Sequence, residues 1–251
     1  MSQNRSSAVM QQRASRVIEA DDALRKKWRD LDFFPTPPWA ARAGAELVKR
    51  LDPQAESAWE PACGEGHISE QLKEYFASVY ATDIHHYGCN VQQQMDFLDG
   101  KSLQWLFGDD NPDWVITNPP FLKAAEFVQR GLEVAERGVA VLCRAAFLES
   151  ATRYHMLFES EYPLHAMAPF IERVPMQLGS WDPQASTATA YAWFLFRKPA
   201  AKIGGGLANA PAKIIPIPPG TKARLTKPGD AARFGATLAM PLFPEAGDAS
   251  A

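Results

Sequence analysis

Short apolar runs alternate with segments of helical periodicity along most of the chain. Runs rich in β-branched and aromatic residues predict buried strands, whereas apolar side chains that recur every three or four positions predict amphipathic helices. The strands are predicted at 57–60, 79–83, 91–95, 114–118, 139–143, 170–176 and 190–196. The helices are predicted at 40–51, 67–76, 101–107, 123–137 and 149–158. This alternation predicts an α/β fold with a mostly parallel sheet and helices on both of its faces.

The strand at 114–118 ends abruptly at two prolines, Pro119 and Pro120, and Phe121 follows them. Proline cannot continue a central strand, and it holds both itself and the preceding residue in restricted conformations. An amide, a carbonyl and an aromatic ring therefore lie on stiff backbone at the edge where open α/β sheets bind ligands. The Asn118 oxygen and a proline carbonyl can accept the two hydrogens of a planar amine. Because none of these groups is a strong base, such an amine would attack a methyl group directly.

The strand at 57–60 is followed by a turn that contains Gly64 and Gly66, and then by the predicted helix at 67–76. Glycines between a strand and a helix let backbone N–H groups approach a ligand closely. The next strand ends in Asp83, at the distance beyond the glycines where nucleotide-binding folds place a ribose-binding carboxylate. The single short turn favours a ligand that lacks a pyrophosphate.

Composition and charge limit the classes of function. The 251 residues are 46% hydrophobic and 22% charged, and no apolar run approaches the roughly 20 residues of a membrane span. The N-terminal segment lacks the apolar core of a signal peptide, so we expect a cytoplasmic protein without membrane contact. With a net charge of −3, any nucleic-acid binding must use local basic patches. The three cysteines have no paired spacing, so the sequence predicts neither a disulfide framework nor a metal site.

The composition divides the chain into three segments. Residues 1–30 are polar and locally basic, and we interpret them as an N-terminal arm that either contacts phosphates or is a solvated helix. Residues 31–198 contain the predicted strands and central helices. Residues 199–251 are rich in Pro, Gly and Ala and cannot form a second core, so we expect an extended C-terminal tail that packs in part through Ile214, Ile215 and Ile217.

Three motifs together resemble the class I S-adenosylmethionine-dependent DNA N6-adenine methyltransferases. Residues 118–121 resemble the catalytic Asp/Asn-Pro-Pro-aromatic motif of that family, and residues 60–66 resemble its cofactor loop. Phe34-Pro35-Thr36-Pro37 resembles a segment that often reads Tyr-x-Thr-Pro. The resemblance spans residues 31–198. It implies a Rossmann-like methyltransferase fold with a mostly parallel seven-stranded sheet, in which residues 191–196 form the last, antiparallel strand.

The resemblance also implies S-adenosyl-L-methionine as the cofactor. Asp83 would hold the ribose hydroxyls, Asp96 would accept a hydrogen bond from the adenine amino group, and Phe97 would lie beside the adenine ring. The residues implied in cofactor binding are Phe34, Thr36, Glu60, Pro61, Ala62, Cys63, Gly64, Gly66, Asp83, Ile84, Asp96, Phe97 and Asn118.

Catalysis would use the four residues of the proline motif. Asn118 and the Pro119 carbonyl would bind the target amine, Pro120 would keep the backbone stiff, and Phe121 would stack on the adenine. The adenine must be extruded from the duplex, because its N6 amine is out of reach inside the helix. The implied activity is therefore site-specific methylation of adenine N6 in DNA.

Double-stranded DNA is the implied partner. A homodimer is a further expectation, because a two-fold dimer matches the symmetry of a palindromic site. The chain lacks a large separate recognition domain, so residues 144–190 are the candidate DNA-recognition region, with the arm, the tail or a second subunit as other sources. The same motif also occurs in enzymes that methylate RNA bases or a protein glutamine amide. A catalytically silent methyltransferase-like protein that binds nucleic acid is a further alternative.

Overall fold

The computed structural model describes residues 22–87, 93–100, 111–199 and 211–235. Within these ranges the chain forms six α-helices and one eight-stranded sheet. The helices are α1 (Asp22–Asp30), α2 (Pro38–Leu51), α3 (Ser69–Leu72), α4 (Ala124–Val134), α5 (Thr221–Leu225) and α6 (Asp230–Phe234). The strands are β1 (Ser57–Glu60), β2 (Ser78–Asp83), β3 (Gln93–Gln94), β4 (Trp114–Thr117), β5 (Gly138–Arg144), β6 (Leu164–Pro169), β7 (Tyr191–Arg197) and β8 (Lys213–Ile214).

The strand order in the sheet is β3-β2-β1-β4-β5-β7-β6-β8. Five of the seven neighbouring pairs are parallel, and β7 runs antiparallel to both of its neighbours. The predicted α/β fold and the antiparallel strand at 191–196 are confirmed. The expectation of seven strands is wrong, because the short strand β8 pairs with β6 and adds an eighth. Since β1 lies between β2 and β4, the strand order reverses at β1, which is the point where such sheets bind ligands.

The sheet separates two hydrophobic cores, one on each face. Trp114 and Ile116 of β4 belong to one core, while Val115 between them belongs to the other. This alternation follows from the pleat of a strand, which directs successive side chains to opposite faces. Helix α2 enters the first core through Trp39, and α4 enters the second through Phe127. Helices therefore cover both faces, as the sequence predicts.

Helix α2 positions the segment that precedes it along the chain. Its first residue is Pro38, a favoured position for a residue with a fixed φ and no N–H. A Cβ atom at Gly44 would lie 2.3 Å from the Trp193 ring, so the indole packs directly on the α2 backbone. The indole N–H also donates to the Ala40 carbonyl at 3.0 Å. These contacts hold residues 34–37 at the edge of the sheet. In the described ranges, no helix is both long and apolar enough to cross a membrane.

Two predicted helices differ in the structure. The helix expected at 67–76 is reduced to the four residues of α3, with turns on either side. The helix expected at 149–158 is replaced by a 3-10 turn at Ala151–Arg153 and a π-helix at His155–Glu159. The helix expected at 101–107 lies outside the described residues. Tertiary contacts decide such short segments, because isolated helices of this length are marginal.

Two predicted strands also differ. Of the strand expected at 91–95, the described residues contain only β3. The strand expected at 170–176 does not form, and only Phe170 makes an isolated bridge, to Ile217. Instead β6 precedes it, with buried and half-buried residues in strict alternation. This period-2 pattern was hidden in the sequence by the small and polar residues of β6.

The predicted extended tail is wrong for residues 211–235, which form β8, α5 and α6. Ile217 and Leu225 join the core of the α2 face, whereas Ile214 is 74% exposed. The buried side chain of Arg42 also bonds to the Leu225 carbonyl and to the Asp230 carboxylate. The tail is therefore anchored largely by polar groups, which hydrophobic periodicity does not reveal.

Candidate active site

A cavity of about 350 Å³ opens at the carboxyl end of the sheet, beside β1 and β4. These neighbouring parallel strands end at Glu60 and Thr117. The cavity thus lies at the point of strand-order reversal, where open α/β sheets bind ligands. Its volume falls in the range of small-molecule sites, which runs from about 300 to 1,000 Å³.

The cavity brings together most of the residues that the sequence indicates. Those that line it are Phe34, Thr36, Glu60, Pro61, Ala62, Cys63, Gly64, Asp83, Ile84, Asp96, Phe97, Asn118 and Pro120. Three indicated residues do not line it, namely Gly66, Pro119 and Phe121. Gly66 has a φ of +84° and turns the loop, and Pro119 is buried.

The loop after β1 curls tightly at Gly64, where φ is +52°. A Cβ atom at this position would lie 2.7 Å from the Phe33 ring, so only glycine allows this close approach. The Gly64 N–H donates to the Asp83 carboxylate at 2.9 Å, and the Cys63 N–H donates to the Thr82 carbonyl at 3.0 Å. The end of β2 therefore fixes the glycine loop.

Asp83 is buried, and its two carboxylate oxygens accept from different backbone groups. One oxygen accepts from Gly64 and the other from the His85 N–H at 2.9 Å. Burial raises the pKa of Asp83 above its ordinary value, although the hydrogen bonds from His85 and Gly64 act in the opposite direction. The Ile84 N–H also bonds to this carboxylate, and because a carboxylate accepts about four hydrogen bonds, Asp83 can still accept from a ligand.

Glu60 ends β1 with a fully buried carboxyl group. The Ser69 N–H donates to it at 2.5 Å and holds it in place. Burial raises the pKa of Glu60 well above its ordinary value, and the nearby charge of Asp83 adds to this effect, while the hydrogen bonds from Ser69 oppose it. The cavity thus contains two carboxyl groups that would gain from a cationic or hydrogen-bond-donating ligand.

The Asn118 amide is held by one end only. Its nitrogen donates to the Phe34 carbonyl at 2.9 Å and lies 3.8 Å from the Met176 sulfur. Its oxygen is buried and has no hydrogen-bond partner among the described residues. The hydroxyl of Thr36, which is 2% exposed, likewise has no partner in the described ranges. Buried polar atoms without a described partner also occur away from the cavity, for example at Trp181 Nε1, but the residues that carry these two both line the cavity and could bond to a ligand there.

No family model matches the sequence, and no curated protein matches it. A solved structure of a candidate RNA methyltransferase from Pyrococcus horikoshii is similar, with a TM-score of 0.51 and 18% sequence identity; the match covers 68% of this chain and 88% of that chain. The chain has the Rossmann-like α/β fold of that methyltransferase structure.

Two further solved structures resemble the chain with lower TM-scores. One is a candidate class I S-adenosylmethionine-dependent methyltransferase from Listeria monocytogenes, with a TM-score of 0.49, 13% identity, and coverage of 78% of this chain and 68% of that chain. The other is a type I restriction-modification methyltransferase subunit from Streptococcus thermophilus, with a TM-score of 0.47, 13% identity, and coverage of 66% and 45%. The chain thus spans less than half of that subunit. At these identities the likeness concerns the fold alone.

Phe121 lies outside the cavity, and its ring has two aromatic rings and one guanidinium as neighbours. Its ring centroid is 5.3 Å from that of Phe34 and 6.3 Å from that of Tyr191. The Arg144 guanidinium lies over the ring, 4.6 Å from its centroid. The Phe121 N–H donates to the Asp32 carboxylate at 2.5 Å. The aromatic side chain of the motif is therefore already surrounded by protein groups.

Several residues of the site escaped the sequence analysis. Asp32 combines its contact to Phe121 with a φ of +51°, a strained value for a residue other than glycine. Phe33 and Tyr87 line the cavity with their ring centroids 4.7 Å apart. The cluster of aromatics and prolines at 33–39 was a signal that this segment packs on something. Nothing local in the sequence indicates Tyr87.

Proposed function

We propose that the protein is a site-specific DNA adenine-N6 methyltransferase that uses S-adenosyl-L-methionine. The observation that carries the proposal is the Asn118 amide, whose nitrogen is fixed by the Phe34 carbonyl while its buried oxygen lacks a partner in the described residues. An amide fixed in this way presents an acceptor, and an exocyclic amine is the donor that matches it. Asn118, which carries this acceptor, lines the cavity together with Pro120.

The cavity fits the cofactor by its shape and by its donor and acceptor groups. Asp83 can accept a further hydrogen bond, which suits a ribose hydroxyl. Glu60 offers a buried carboxyl to an ammonium group, and the unpaired Thr36 hydroxyl faces the same ligand in this proposal. Ile84, 55% exposed, offers apolar surface to the adenine ring, and Gly64 allows close backbone approach. The bound cofactor supplies an electrophilic methyl group.

In the proposed mechanism, the chain's own groups orient the target amine. Asn118 Oδ1 and the Pro119 carbonyl accept the two N–H hydrogens, which directs the nitrogen lone pair towards the cavity. The nitrogen would gain the methyl group as the bond between that carbon and the cofactor sulfur breaks and a neutral thioether is left, and it would release one proton to water, so no strong base is required. Phe121 provides a stacking surface for the extruded purine, which offsets part of the cost of unpairing.

We propose DNA as the substrate, in preference to RNA or protein, because of the sequence motifs that flank the cavity. The sequences at 34–37 and 60–63 resemble the corresponding segments of DNA adenine methyltransferases more than those of their RNA- or protein-modifying relatives. Double-stranded DNA is accordingly the proposed partner, with residues 144–190 as the candidate recognition region. A homodimer remains a prediction.

Labelled methyl transfer to duplex DNA, denatured DNA and total RNA, followed by digestion to nucleosides, tests the proposal. We expect N6-methyladenine from DNA. Asn118→Ala should lower its formation at least about 100-fold, while calorimetry should show that the variant still binds the cofactor. Asn111→Ala, which removes an exposed amide bonded to Glu136, is the matched control and should retain activity.

Each other outcome selects a different function. Label in RNA alone would establish the RNA-modifying alternative. Tight cofactor binding without transfer to nucleic acid would indicate a protein substrate or a missing partner. A failure to bind the cofactor would indicate a catalytically silent protein. Unchanged transfer by Asn118→Ala would remove the basis of the mechanism.

A further inference from the structure

Arg144 occupies a ring face that the proposed function assigns to the target base. Its guanidinium carbon lies over the Phe121 ring, 4.6 Å from the centroid. Arg144 is the last residue of β5, the strand that pairs with β4, and Phe121 follows closely after β4. A guanidinium and a purine are both planar and stack on aromatic faces at similar separations. The two groups therefore compete for the same space.

Asn118 is also covered in this conformation. Its acceptor oxygen is buried, and the Met176 sulfur lies 3.8 Å from its nitrogen. A target amine can reach the oxygen only if a neighbouring group moves. Met176 and Tyr191 are 6% and 3% exposed and belong to the packed core. Arg144 is exposed, so it is the neighbour of Phe121 that can leave at the smallest cost.

Arg144 forms no ion pair with a carboxylate in the part of the chain that the structure describes. It lies opposite Tyr191 in the register of β5 and β7. Burial raises the pKa of Tyr191, and the charge of Arg144 and its side-chain hydrogen bond to Tyr191 act against that rise. A permanently charged guanidinium without a carboxylate partner, next to an expected nucleotide site, suits a phosphate.

We propose that Arg144 stacks on Phe121 while no nucleic acid is bound, and that the target base displaces it. The released guanidinium then pairs with a phosphate beside the extruded nucleotide. Arg144 is thus a positioning residue. It covers the Phe121 ring until the target base binds, and it then exchanges the ring for a phosphate. This inference rests on the proposed function.

The phosphate contact is tested by methyl-transfer kinetics on denatured genomic DNA at several salt concentrations. Its adenines are unpaired, so the cost of extrusion is absent. Losing one phosphate contact to a single strand should reduce the slope of log KM against log salt by about 0.7, and we expect this for Arg144→Ala. Arg144→Lys keeps the charge and should keep the wild-type slope. Arg50→Ala is the matched control, because Arg50 is an exposed arginine near the C-terminal end of α2, outside the candidate recognition region.

The stacking contact is tested with adenosine, which has no phosphate, as an inhibitor of the same reaction at saturating cofactor. A cation–π contact at an exposed site is worth about two- to fivefold in an equilibrium constant. Arg144→Ala should therefore lower the inhibition constant of adenosine about two- to fivefold, while Arg50→Ala leaves it unchanged. Circular dichroism verifies that each variant is folded.

The outcomes separate this inference from the proposed function. If the wild type methylates DNA and Arg144→Ala equals it in both salt slope and adenosine inhibition, the inference is overturned and the function stands. If Arg50→Ala shows the same changes as Arg144→Ala, the effect comes from net charge, and the inference is overturned as well. If the wild type methylates no nucleic acid, the proposed function fails and this inference fails with it.

Discussion

The guanidinium of Arg42 in α2 forms a two-pronged ion pair with the carboxylate of Asp230 in α6. Nη1 lies 2.7 Å from Oδ2 and Nη2 lies 3.0 Å from Oδ1, although 188 positions separate the two residues in sequence. Both side chains are buried, and the guanidinium also donates to Glu74 and Gln71. This pair connects the C-terminal segment to the helices that flank the cofactor loop.

Asp230→Ala is expected to destabilise the protein by about 3 kcal/mol. It leaves the buried guanidinium of Arg42 short of one partner, and removing half of a buried ion pair is costly. Arg224→Ala is the control, because it removes an ion pair with Glu46 in which the arginine side chain is 56% exposed. Such exposed pairs contribute about 0–1 kcal/mol. Urea denaturation measures both variants, and equal small losses would contradict an anchoring role for Asp230.

The same cluster should make stability fall in acid. Burial alone would raise the pKa of Asp230 and Glu74, but hydrogen bonds and charge from Arg42 outweigh it and hold both below their ordinary values. The stability that they contribute is present above about pH 4 and is lost as the pH falls through the lowered pKa values of the folded state. Thermal unfolding between pH 7 and pH 3 should show this loss.

Asp230→Asn provides the matched comparison for the acid effect. Asparagine does not titrate, so this variant should be less stable than the wild type at pH 7 but should lose less on acidification. An acid profile parallel to that of the wild type would show that other carboxyl groups dominate.

Glu60→Gln is expected to stabilise the protein while weakening cofactor binding. Burial raises the pKa of Glu60, so its ionised form is disfavoured by folding at neutral pH. Relative to the wild type, Glu60→Gln should have the same free energy of unfolding below about pH 4.5. Its advantage should grow as the pH rises and should be complete above the raised pKa of Glu60 in the folded state. Losing a charged acceptor should weaken S-adenosyl-L-methionine binding about tenfold.

Glu65→Gln is the control for Glu60, since Glu65 lies in the same loop but its side chain is 51% exposed. Its effect on stability should be within about 0.5 kcal/mol. Denaturation at several pH values and calorimetry distinguish the two variants. A loss of stability in Glu60→Gln at pH 8 would show that the ionised carboxylate is well satisfied in the free protein.

Gly64→Ala should disturb the cofactor loop by more than backbone strain alone. Both Gly64 and Gly220 have positive φ, +52° and +87°, and alanine costs about 1–2 kcal/mol in that region. A Cβ atom at Gly64 would also meet the Phe33 ring at 2.7 Å, whereas none of the described atoms lies within 4 Å at Gly220. Gly64→Ala should therefore be the more destabilising change, and it alone should weaken cofactor binding. Equal effects of the two substitutions in urea would argue against tight packing of the loop.

The sequence by itself determined the parts of the site that depend on local backbone chemistry. Two prolines end β4 after Asn118, and glycines turn the loop after β1, so both motifs occur at strand ends in any parallel arrangement of these strands. Burial of alternate strand residues then required helices on both faces. These rules placed Glu60, Asp83 and Asn118 at one edge before any contact was known.

Only the tertiary structure decided which distant groups meet at that edge. Arg144 over Phe121, Asp32 on the Phe121 backbone and Arg42 with Asp230 are long-range polar contacts, and no periodicity of apolar residues encodes them. For the same reason the helices of the C-terminal segment were missed, because buried hydrogen bonds to Arg42 compensate for a low apolar content. Local rules fix where a side chain emerges from the backbone, whereas packing of the whole chain fixes its partners.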